Sequence, residues 1–563
     1  MIAMRGWVRM LICGAVAAAL YLPAMGRPAL WEPDEGRYAE IAREMLVSGD
    51  WITPRDNFVR YFEKPPLVYW LTALSFRILG KSEFAARLPA AAFSVGQVAL
   101  IEGLGEALFG AGTGLAAALC LGLSPAFFGF ARFITLDPAL AFLITAALTL
   151  FHRAAAIEGF RSRAAQAEMM GAAALTALGT LTKGPVAIVM VTIVGLFYLI
   201  AERRVRDLTR IPWVACATVY LAITTPWFVL VSIRNRGFVD FFFLHEHLER
   251  YLSSGEHGWG PWFFVAVVVA GMWPWIFFAP FARAGSEDST KLSGSSTKPI
   301  SASSVRFLLI WFATVFIFFS IPRSKLGSYI LPGLPPLAIL CGLGMVRLSG
   351  LDMRRRSQCF GWLAALSLIA AGMASIVCAT GVQKHPILRP PGTDLIVAVS
   401  LIAIGSTAAF VISRRSPSTA SAVGALAIGV IAALLAGTKA REDAASLGSY
   451  RGLARAIQPC VQAGCSLASY HHFVQGLPFY TGAREALAGY RGELAPFGDS
   501  PDASASFIES EPKLAELWRD RCVVLIANRV DFAHLKLLLA PVPQPIAAEG
   551  KKLALTNRAD CSR

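Results

Sequence analysis

The sequence predicts a mainly α-helical, polytopic membrane protein of about 13 transmembrane spans with a small α/β domain at its C-terminal end. Of its 563 residues, 55% are hydrophobic and only 16% are charged, whereas a soluble globular chain carries roughly 25% charged residues. Many windows are almost free of charge over about 20 residues, the length that an α-helix needs to cross a bilayer. The composition therefore excludes an intrinsically disordered chain and a single soluble domain.

The first apolar segment, residues 7–25, follows Arg5 and Arg9 and lacks a small-residue cleavage site. We therefore interpret it as an uncleaved span and not as a signal peptide. The other predicted spans are residues 88–106, 112–130, 136–152, 168–182, 185–201, 211–231, 261–281, 305–320, 328–347, 359–380, 394–412 and 420–437.

The formal net charge of +15 is explained by arginine-rich loops and not by nucleic-acid binding. Lys and Arg gather in the short cytoplasmic loops of membrane proteins. With the N-terminus inside, those loops contain the arginines of residues 153–163, 203–206, 347–356 and 414–415. An odd number of spans then places the C-terminal segment outside.

Residues 65–80 are apolar, but they are short and are bounded by two prolines and by Arg77 and Lys81. Counting them as a span would place the arginine-rich loops outside and reverse the charge bias. We therefore predict a helix that lies in the interface on the outer face of the membrane.

Composition divides the chain into a membrane domain, residues 1–437, and a soluble outer domain, residues 438–563. The membrane domain contains a first outer loop, residues 26–87, a second outer loop, residues 232–260, and a Ser-rich cytoplasmic linker, residues 282–304. A flexible connection is typical of such a linker.

The outer domain contains two apolar runs typical of buried strands, residues 465–473 and 522–528, and helical patterns near 450–458 and 511–519. Its four cysteines are Cys460, Cys465, Cys522 and Cys561. In an oxidising compartment they allow two disulfides, for which three pairings are available.

The first outer loop combines acids, cations and aromatic residues beside the membrane. Asp34 and Glu35 precede the helical segment YAEIAREML, and Arg37 lies one turn into it. Further along, the loop carries Tyr61, Glu63 and Lys64 before two prolines. This mixture suits a site that binds a phosphate while a carboxylate handles a proton or a developing positive charge. The alternative is an amphipathic interfacial helix with solvated charges.

A second acid, Asp137 in RFITLDPAL, lies at the outer end of the fourth span. A carboxylate that borders hydrocarbon is costly and is functional by default. A helix-start cap before Pro138 is the alternative.

The segment FFFLHEHLERY, residues 241–251, carries His245, His247 and Arg250 on a predicted helix. The two histidines point to different faces, so the helix alone does not form a two-histidine metal site. One of them is available to join Glu63, and a solvated helix face is the alternative.

The segment IPRSKLGSYILP places Arg323 and Lys325 at an outer membrane boundary, with Tyr329 one turn later. Cations on this side require an anionic partner, and a lipid-linked phosphate fits. Lys183, in LTKGP at another outer turn, supports the same interpretation less strongly.

The sequence has no P-loop, dinucleotide fingerprint or HExxH motif, which argues against chemistry driven by cytosolic nucleotides. An outward-facing site has no supply of nucleotide-sugars. An activated lipid is therefore the expected donor.

These segments resemble the polyprenyl-phosphate-sugar-dependent transferases of the GT-C superfamily, which include the bacterial lipid A aminoarabinose transferase and the protein O-mannosyltransferases. The motifs that carry the resemblance are WEPDEGRYAEIAREMLVSGDW, YFEKPPLVYW, TLDP, EHLERY and PRSKLGSYILP, in the family's order over roughly residues 30–335. The EKPP ending is common across the broader family and is not diagnostic of aminoarabinose transfer.

The resemblance implies roles for individual residues. Asp34 would be the principal catalytic carboxylate, and Asp137 a second essential acid in the same cavity. The residues implied in binding the donor are Glu35, Arg37, Tyr61, Lys64, Arg250, Lys325 and Tyr329. Glu63 matches a position associated with a structural divalent metal, held together with His245 or His247. No cofactor is expected to be obligatory.

We therefore expect a monomeric glycosyltransferase of the bacterial inner membrane, inverting in stereochemistry, with its active site and C-terminal domain in the periplasm. It would transfer a sugar from an undecaprenyl-phosphate donor to lipid A, another glycolipid or a protein. A transporter or flippase of lipid-linked sugars is the alternative, and it predicts charges spread through the membrane interior. A third interpretation, in which the spans only anchor the outer domain, does not explain 13 spans.

Overall fold

The computed structural model describes residues 6–157, 160–249, 259–283, 301–379, 392–499 and 501–558. The chain divides into two compact units. The helical unit comprises Met1–Pro23, Ala90–Val229 and Asp240–Ala440. The α/β unit comprises Ala24–Pro89, Leu230–Val239 and Arg441–Arg563.

Helices account for most of the described chain. The α-helices are α1 (Gly6–Tyr21), α2 (Asp34–Ser48), α3 (Leu67–Leu79), α4 (Glu83–Phe109), α5 (Ala111–Gly122), α6 (Pro125–Ala131), α7 (Asp137–Ala156), α8 (Arg163–Lys183), α9 (Val186–Ala201), α10 (Trp213–Arg234), α11 (Phe263–Met272), α12 (Ala302–Ser320), α13 (Leu334–Leu348), α14 (Met353–Ala379), α15 (Gly392–Arg415), α16 (Thr419–Gly448), α17 (Arg451–Gln462), α18 (Gly476–Thr481), α19 (Glu511–Asp520) and α20 (Phe532–Leu538). A π-helix covers Asp240–Glu249, and short 3-10 helices cover Val205–Arg210, Trp275–Arg283, Gly327–Gly333, Gly492–Phe497, Pro501–Ser506 and Arg529–Asp531.

Within the described residues, eight helices are long and apolar enough to cross a membrane, and ten spans result if each of two bent pairs counts as one. Every predicted span coincides with a helix or a bent pair, and the polytopic helical class is confirmed. The number 13 is not confirmed, because α1 and α9 are shorter apolar helices and α8 is outside the apolar set. The apolar helix α3 has 13 residues, or about 20 Å at 1.5 Å per residue, which is short of a bilayer's hydrocarbon core.

Prolines produce the two bends. Helices α5 and α6 meet at 65°, where the Ser124 hydroxyl caps the second helix by accepting a hydrogen bond from Phe127 N, and Pro125 occupies the first turn. Helix α11 and the following helical segment meet at 102° around Pro274. Proline lacks an N–H and cannot continue a helix, but it is well accommodated in a first turn.

Small residues bring helices of the helical unit into close contact. A methyl group at Gly342 on α13 would lie 2.6 Å from the backbone nitrogen of Ala117 on α5. Such proximity excludes any side chain at residue 342. In a lipid environment, where the hydrophobic effect between helices is weak, close backbone packing of this kind stabilises association.

The α/β unit contains a sheet built from residues of the C-terminal segment. Its strands are β3 (Ser466–Tyr470), β4 (Glu485–Ala488), β5 (Phe507–Ile508), β6 (Val523–Asn528), β7 (Gln544–Glu549) and β8 (Lys552–Thr556), and a separate hairpin pairs β1 (Arg55–Asp56) with β2 (Val59–Arg60). The six strands lie in the order β5-β4-β3-β6-β8-β7. The first four are parallel, and β8 pairs antiparallel with both β6 and β7.

The predicted α/β character of the C-terminal segment is confirmed. Strands β3 and β6 fall on the two predicted apolar runs, and helices α17 and α19 on the two helical patterns. Apolar side chains of α17 pack on one side of the sheet, and Trp518 of α19 is buried on the other. A strand that is covered on both faces has a continuous apolar sequence, and β3 and β6 both show this pattern.

The first outer loop folds together with this sheet. The side-chain amide of Asn57 donates to Glu485 O at 2.7 Å and accepts from Glu485 N at 2.8 Å. Asn57 has a φ of 54°, in the left-handed region that asparagine tolerates better than most residues. One side chain therefore satisfies both backbone groups at the start of β4.

A disulfide joins Cys465 to Cys522, which lie 57 residues apart in the sequence. Cys460 is buried in the core, and Cys561 lies outside the described residues. The structure therefore contains one of the disulfides that the four cysteines of the outer domain allow, between Cys465 and Cys522.

Replacing both Cys465 and Cys522 with serine is expected to lower the free energy of unfolding of the α/β unit by about 4 kcal/mol, because the unfolded chain gains loop entropy. Peptide mapping without reductant should recover the two cysteines in one cross-linked species, and the same digest with reductant is the control. Separate elution of the two peptides in both digests would contradict the pairing.

Candidate active site

Asp34 begins helix α2 and is an accessible acid of the first outer loop. Its side chain is 48% exposed, and its Oδ1 lies 3.8 Å from Nη1 of Arg37. A carboxylate in the first turn of a helix is stabilised by the helix dipole. Asp34 is therefore positioned as an accessible carboxyl group at the start of the helix.

Arg37 is buried one turn later on α2 and is held by two elements. It donates to Tyr61 Oη at 3.3 Å and to Glu493 Oε1 at 2.7 Å. Gln475 Nε2 donates to the same Glu493 oxygen at 2.5 Å. Burial raises the pKa of the Tyr61 phenol well above its usual value, so this side chain is a neutral hydrogen-bonding group.

Two further acids surround the Arg37 charge. Glu32 accepts a hydrogen bond from Gly476 N at 2.7 Å, and burial raises its pKa to about 8. Burial also raises the pKa of Asp56 well above its usual value. Burial thus favours the uncharged form of both carboxyls, and Glu493 and Glu63 are acids that interact electrostatically with Arg37.

The glycine of the DEGRY motif is required by packing. A methyl group at Gly36 would lie 2.7 Å from the backbone nitrogen of Gly476, at the start of α18. This proximity holds α2 against the C-terminal segment, which also supplies Glu493 and Gln475. The packing thereby fixes the position of Arg37.

Glu35 is fully buried in an ion pair. Arg87 on α4 binds both of its carboxylate oxygens, through Nε at 2.8 Å and Nη2 at 2.7 Å. The same guanidinium donates to the carbonyls of Met25, Pro28 and Ala29. These contacts give Glu35 a structural function, and its assignment to substrate binding stays a prediction.

Lys64 and Glu63 lie together in the loop before α3. Both are half-buried, and Lys64 Nζ donates to the backbone carbonyl of Glu63 at 2.9 Å. Within the described residues, no group of three or more His, Cys, Asp or Glu side chains is arranged to hold a metal. The side chains of His245 and His247 lie outside that description. The structural metal therefore stays a prediction.

In the helical unit, Asp137 is buried in an ion pair with Lys183 at the end of α8. Its other oxygen accepts from the Thr135 hydroxyl at 2.9 Å. The Lys183 ammonium also lies 4.2 Å from the ring centroid of Tyr329. Asp137 is the first residue of α7 and follows the N-cap residue, Leu136.

Removing one member of this pair is expected to leave the other charge buried and uncompensated. Lys183→Met and Asp137→Asn should each lower the free energy of unfolding by about 3–5 kcal/mol. The double variant should lose less than the sum, with a coupling of about 1–3 kcal/mol. Unfolding in detergent would measure this, and strictly additive losses would contradict the pairing.

Lys325 is buried and already satisfied by backbone carbonyls. Its Nζ donates to Trp259 O at 3.1 Å and to Pro322 O at 2.5 Å. Arg250 lies outside the described residues. Binding of donor phosphate by these two cations stays a prediction.

The structure thus assembles two groups of the predicted residues, one in each unit. Asp34, Arg37 and Tyr61 come together in the α/β unit, and Asp137 and Tyr329 meet around Lys183 in the helical unit.

Sequence reasoning missed Glu493 and Arg87. Arg87 could have been identified from the sequence, since it is an arginine near the start of an apolar helix and outside the arginine-rich loops. Glu493 left no signal, because it lies in a segment with no recognisable motif, 456 residues from its partner Arg37.

Comparison with known proteins extends the resemblance along the chain. Residues 63–230 match the family described as dolichyl-phosphate-mannose-protein mannosyltransferase. The chain is 29% identical over 388 residues to the undecaprenyl phosphate-α-4-amino-4-deoxy-L-arabinose arabinosyl transferase of Yersinia pestis, covering 68% of each chain. It is 34% identical over 331 residues to the protein of the same name from Shewanella sediminis, covering 58% of each.

The fold also matches solved structures over its whole length. ArnT from Cupriavidus metallidurans bound to undecaprenyl phosphate aligns with a TM-score of 0.86 and 28% identity, covering 100% of both chains. The same protein in its apo state aligns with a TM-score of 0.82 and 26% identity, covering 99% of both.

Proposed function

The chain is a multi-pass membrane glycosyltransferase of the GT-C superfamily, and from this premise we propose that it transfers 4-amino-4-deoxy-L-arabinose from undecaprenyl phosphate to lipid A. The observation that carries the proposal is the full-length likeness to a transferase crystallised with undecaprenyl phosphate. The names of the Yersinia and Shewanella relatives support the choice of sugar. Another glycolipid or a protein is the alternative acceptor.

The reaction is a direct displacement at the anomeric carbon. An acceptor oxygen bonds to that carbon while the bond from the carbon to the phosphate oxygen breaks, and undecaprenyl phosphate leaves with both electrons of that bond. A single displacement inverts the configuration. Cations that compensate the growing charge on the phosphate lower the barrier.

Asp34 is the proposed general base. Its carboxylate is half-exposed and has room to accept the proton of an acceptor hydroxyl. If the acceptor is a lipid A phosphate, the nucleophile is already an anion, and Asp34 then orients it and balances charge. Arg37 is proposed to bind the donor phosphate, for which it must exchange part of its contact with Glu493.

The active face is proposed to lie on the periplasmic side of the inner membrane. The disulfide between Cys465 and Cys522 supports this, because such bonds persist in oxidising compartments. The arginine-rich loops support the same orientation.

Transfer in vitro tests the proposal. The purified chain in detergent would receive undecaprenyl-phosphate aminoarabinose, mannose, glucose or galactosamine as donor, with lipid A or a peptide as acceptor. Release of undecaprenyl phosphate is expected only with the aminoarabinose donor and lipid A together. Turnover with another pair would replace the proposed substrates. No turnover with any pair, while lipid-linked sugar crosses reconstituted vesicles, would favour the flippase.

A further inference from the structure

The α/β unit contains a cavity of about 400 Å³ that includes none of the residues assigned to the transfer reaction. It lies between the connection from α3 to α4, the first turns of α17, and α18. The side chains that decide its chemistry are Lys81, Glu83, Arg451, Arg455, Phe479 and Tyr480. A volume of this size accommodates a phosphate together with an attached glycerol or sugar.

The cavity is basic. Its one acid, Glu83, is paired with Arg451 at 2.8 Å and also lies 3.4 Å from the Tyr480 hydroxyl. Lys81 Nζ donates to Phe479 O at 2.7 Å, so its charge meets a carbonyl and not a carboxylate. Arg455 is exposed and has no ion-pair partner within the described residues. The lining therefore carries three cations, Lys81, Arg451 and Arg455, against one acid, and this excess of positive charge is available to an anion.

An exposed apolar surface adjoins these cations. Ile78 is 70% exposed and Leu79 is 50% exposed at the end of α3, immediately before Lys81. Leu74 is exposed on the same helix. A soluble anion gains nothing from such a surface, whereas an acyl chain does, because burying apolar area is worth roughly 25 cal/mol per Å².

We propose that this cavity binds the phosphate group of an anionic membrane lipid, whose acyl chains lie along α3. Lys81 and Arg455 would donate charge-assisted hydrogen bonds to the phosphate oxygens. Tyr480, already fixed by accepting a hydrogen bond from Leu30 N at 2.8 Å, forms one wall. The site would attach the α/β unit to the membrane surface, independently of which sugar the enzyme transfers.

Lipid binding to the full chain tests this, with native mass spectrometry in detergent as the readout. Phosphatidylglycerol is the anionic probe, phosphatidylcholine the zwitterionic one, and inorganic phosphate the free anion. The wild-type chain should bind phosphatidylglycerol more tightly than phosphatidylcholine. Arg455→Gln should weaken phosphatidylglycerol binding about tenfold, and Lys81→Gln/Arg455→Gln further.

Arg519→Gln, an exposed arginine on α19 with no partner in the described part of the chain, is the matched control. Arg455 is exposed and makes no hydrogen bond or ion pair with another described residue, so the single variant Arg455→Gln should fold like the wild type. Equal binding of both lipids, or unchanged phosphatidylglycerol binding by both variants, would overturn the proposal. Displacement of the lipid by equimolar inorganic phosphate would also overturn it, in favour of a site for a free anion.

Discussion

Asp34→Asn is expected to reduce the turnover number for sugar transfer by about 100- to 10,000-fold, the usual contribution of a general base. Asparagine keeps the shape of the side chain but cannot accept the proton of an acceptor hydroxyl. The KM for the donor should change little, because Arg37, the proposed phosphate-binding residue, is retained and keeps its contact with Tyr61. Initial rates of undecaprenyl phosphate release at saturating donor and acceptor measure the effect.

The matched control is Asp520→Asn, which makes the same chemical change at an exposed residue at the end of α19. It should retain wild-type activity. Thermal unfolding of Asp34→Asn should match that of the wild type, because the side chain is half-exposed. A variant that retains more than half of the wild-type turnover would exclude Asp34 as the base. A loss of turnover that is confined to hydroxyl acceptors would show that Asp34 acts as a general base.

Arg87→Met is expected to lower the free energy of unfolding by about 3–5 kcal/mol, because the buried Glu35 carboxylate loses both short contacts to Arg87. The ion pair with Arg441 that remains is longer, at 3.4 Å. The substitution also removes the donors to the carbonyls of Met25, Pro28 and Ala29. These contacts hold the segment that leads into α2, so activity should fall together with stability. Thermal and denaturant unfolding in detergent provide the measurement.

Arg77→Met is the matched control, since Arg77 is exposed on α3 and has no ion-pair partner within the described residues. It should change stability by less than about 0.5 kcal/mol. The double variant Glu35→Met/Arg87→Met should recover part of the loss, since no buried charge is left unpaired. Equal destabilisation by the two arginine variants would show that the buried ion pair contributes nothing specific.

The helical membrane character of the chain followed from local composition. Each predicted span coincides with a helix or a bent pair. The reason is that burying charge in a bilayer is costly, so a span must be a continuous segment of apolar residues, which is visible in the sequence. The same holds for β3 and β6, whose apolar runs match a strand covered on both sides. The exact number of spans could not be predicted from composition, because length and hydropathy alone do not decide whether α8 and the short apolar helices cross the membrane.

The residues that carry charge near the membrane were also visible in the sequence, but their partners were not. Glu35 and Asp34 are neighbours in the motif. Glu35 is nevertheless buried in an ion pair with Arg87, whereas the Asp34 side chain is accessible. Helical periodicity places adjacent residues on different faces, and only the packed surroundings decide which face is buried.

Local composition was therefore enough to predict apolar helices and the short segments in which acids and cations gather. The folded chain was needed to see that the first outer loop and the C-terminal segment form one unit, in which Asn57 contacts β4 and Gly36 packs against Gly476. It also decided that Arg37 faces Glu493. The physical reason is that these contacts join residues more than 400 positions apart, and no local pattern of hydrophobicity or charge records which distant surface a side chain will meet.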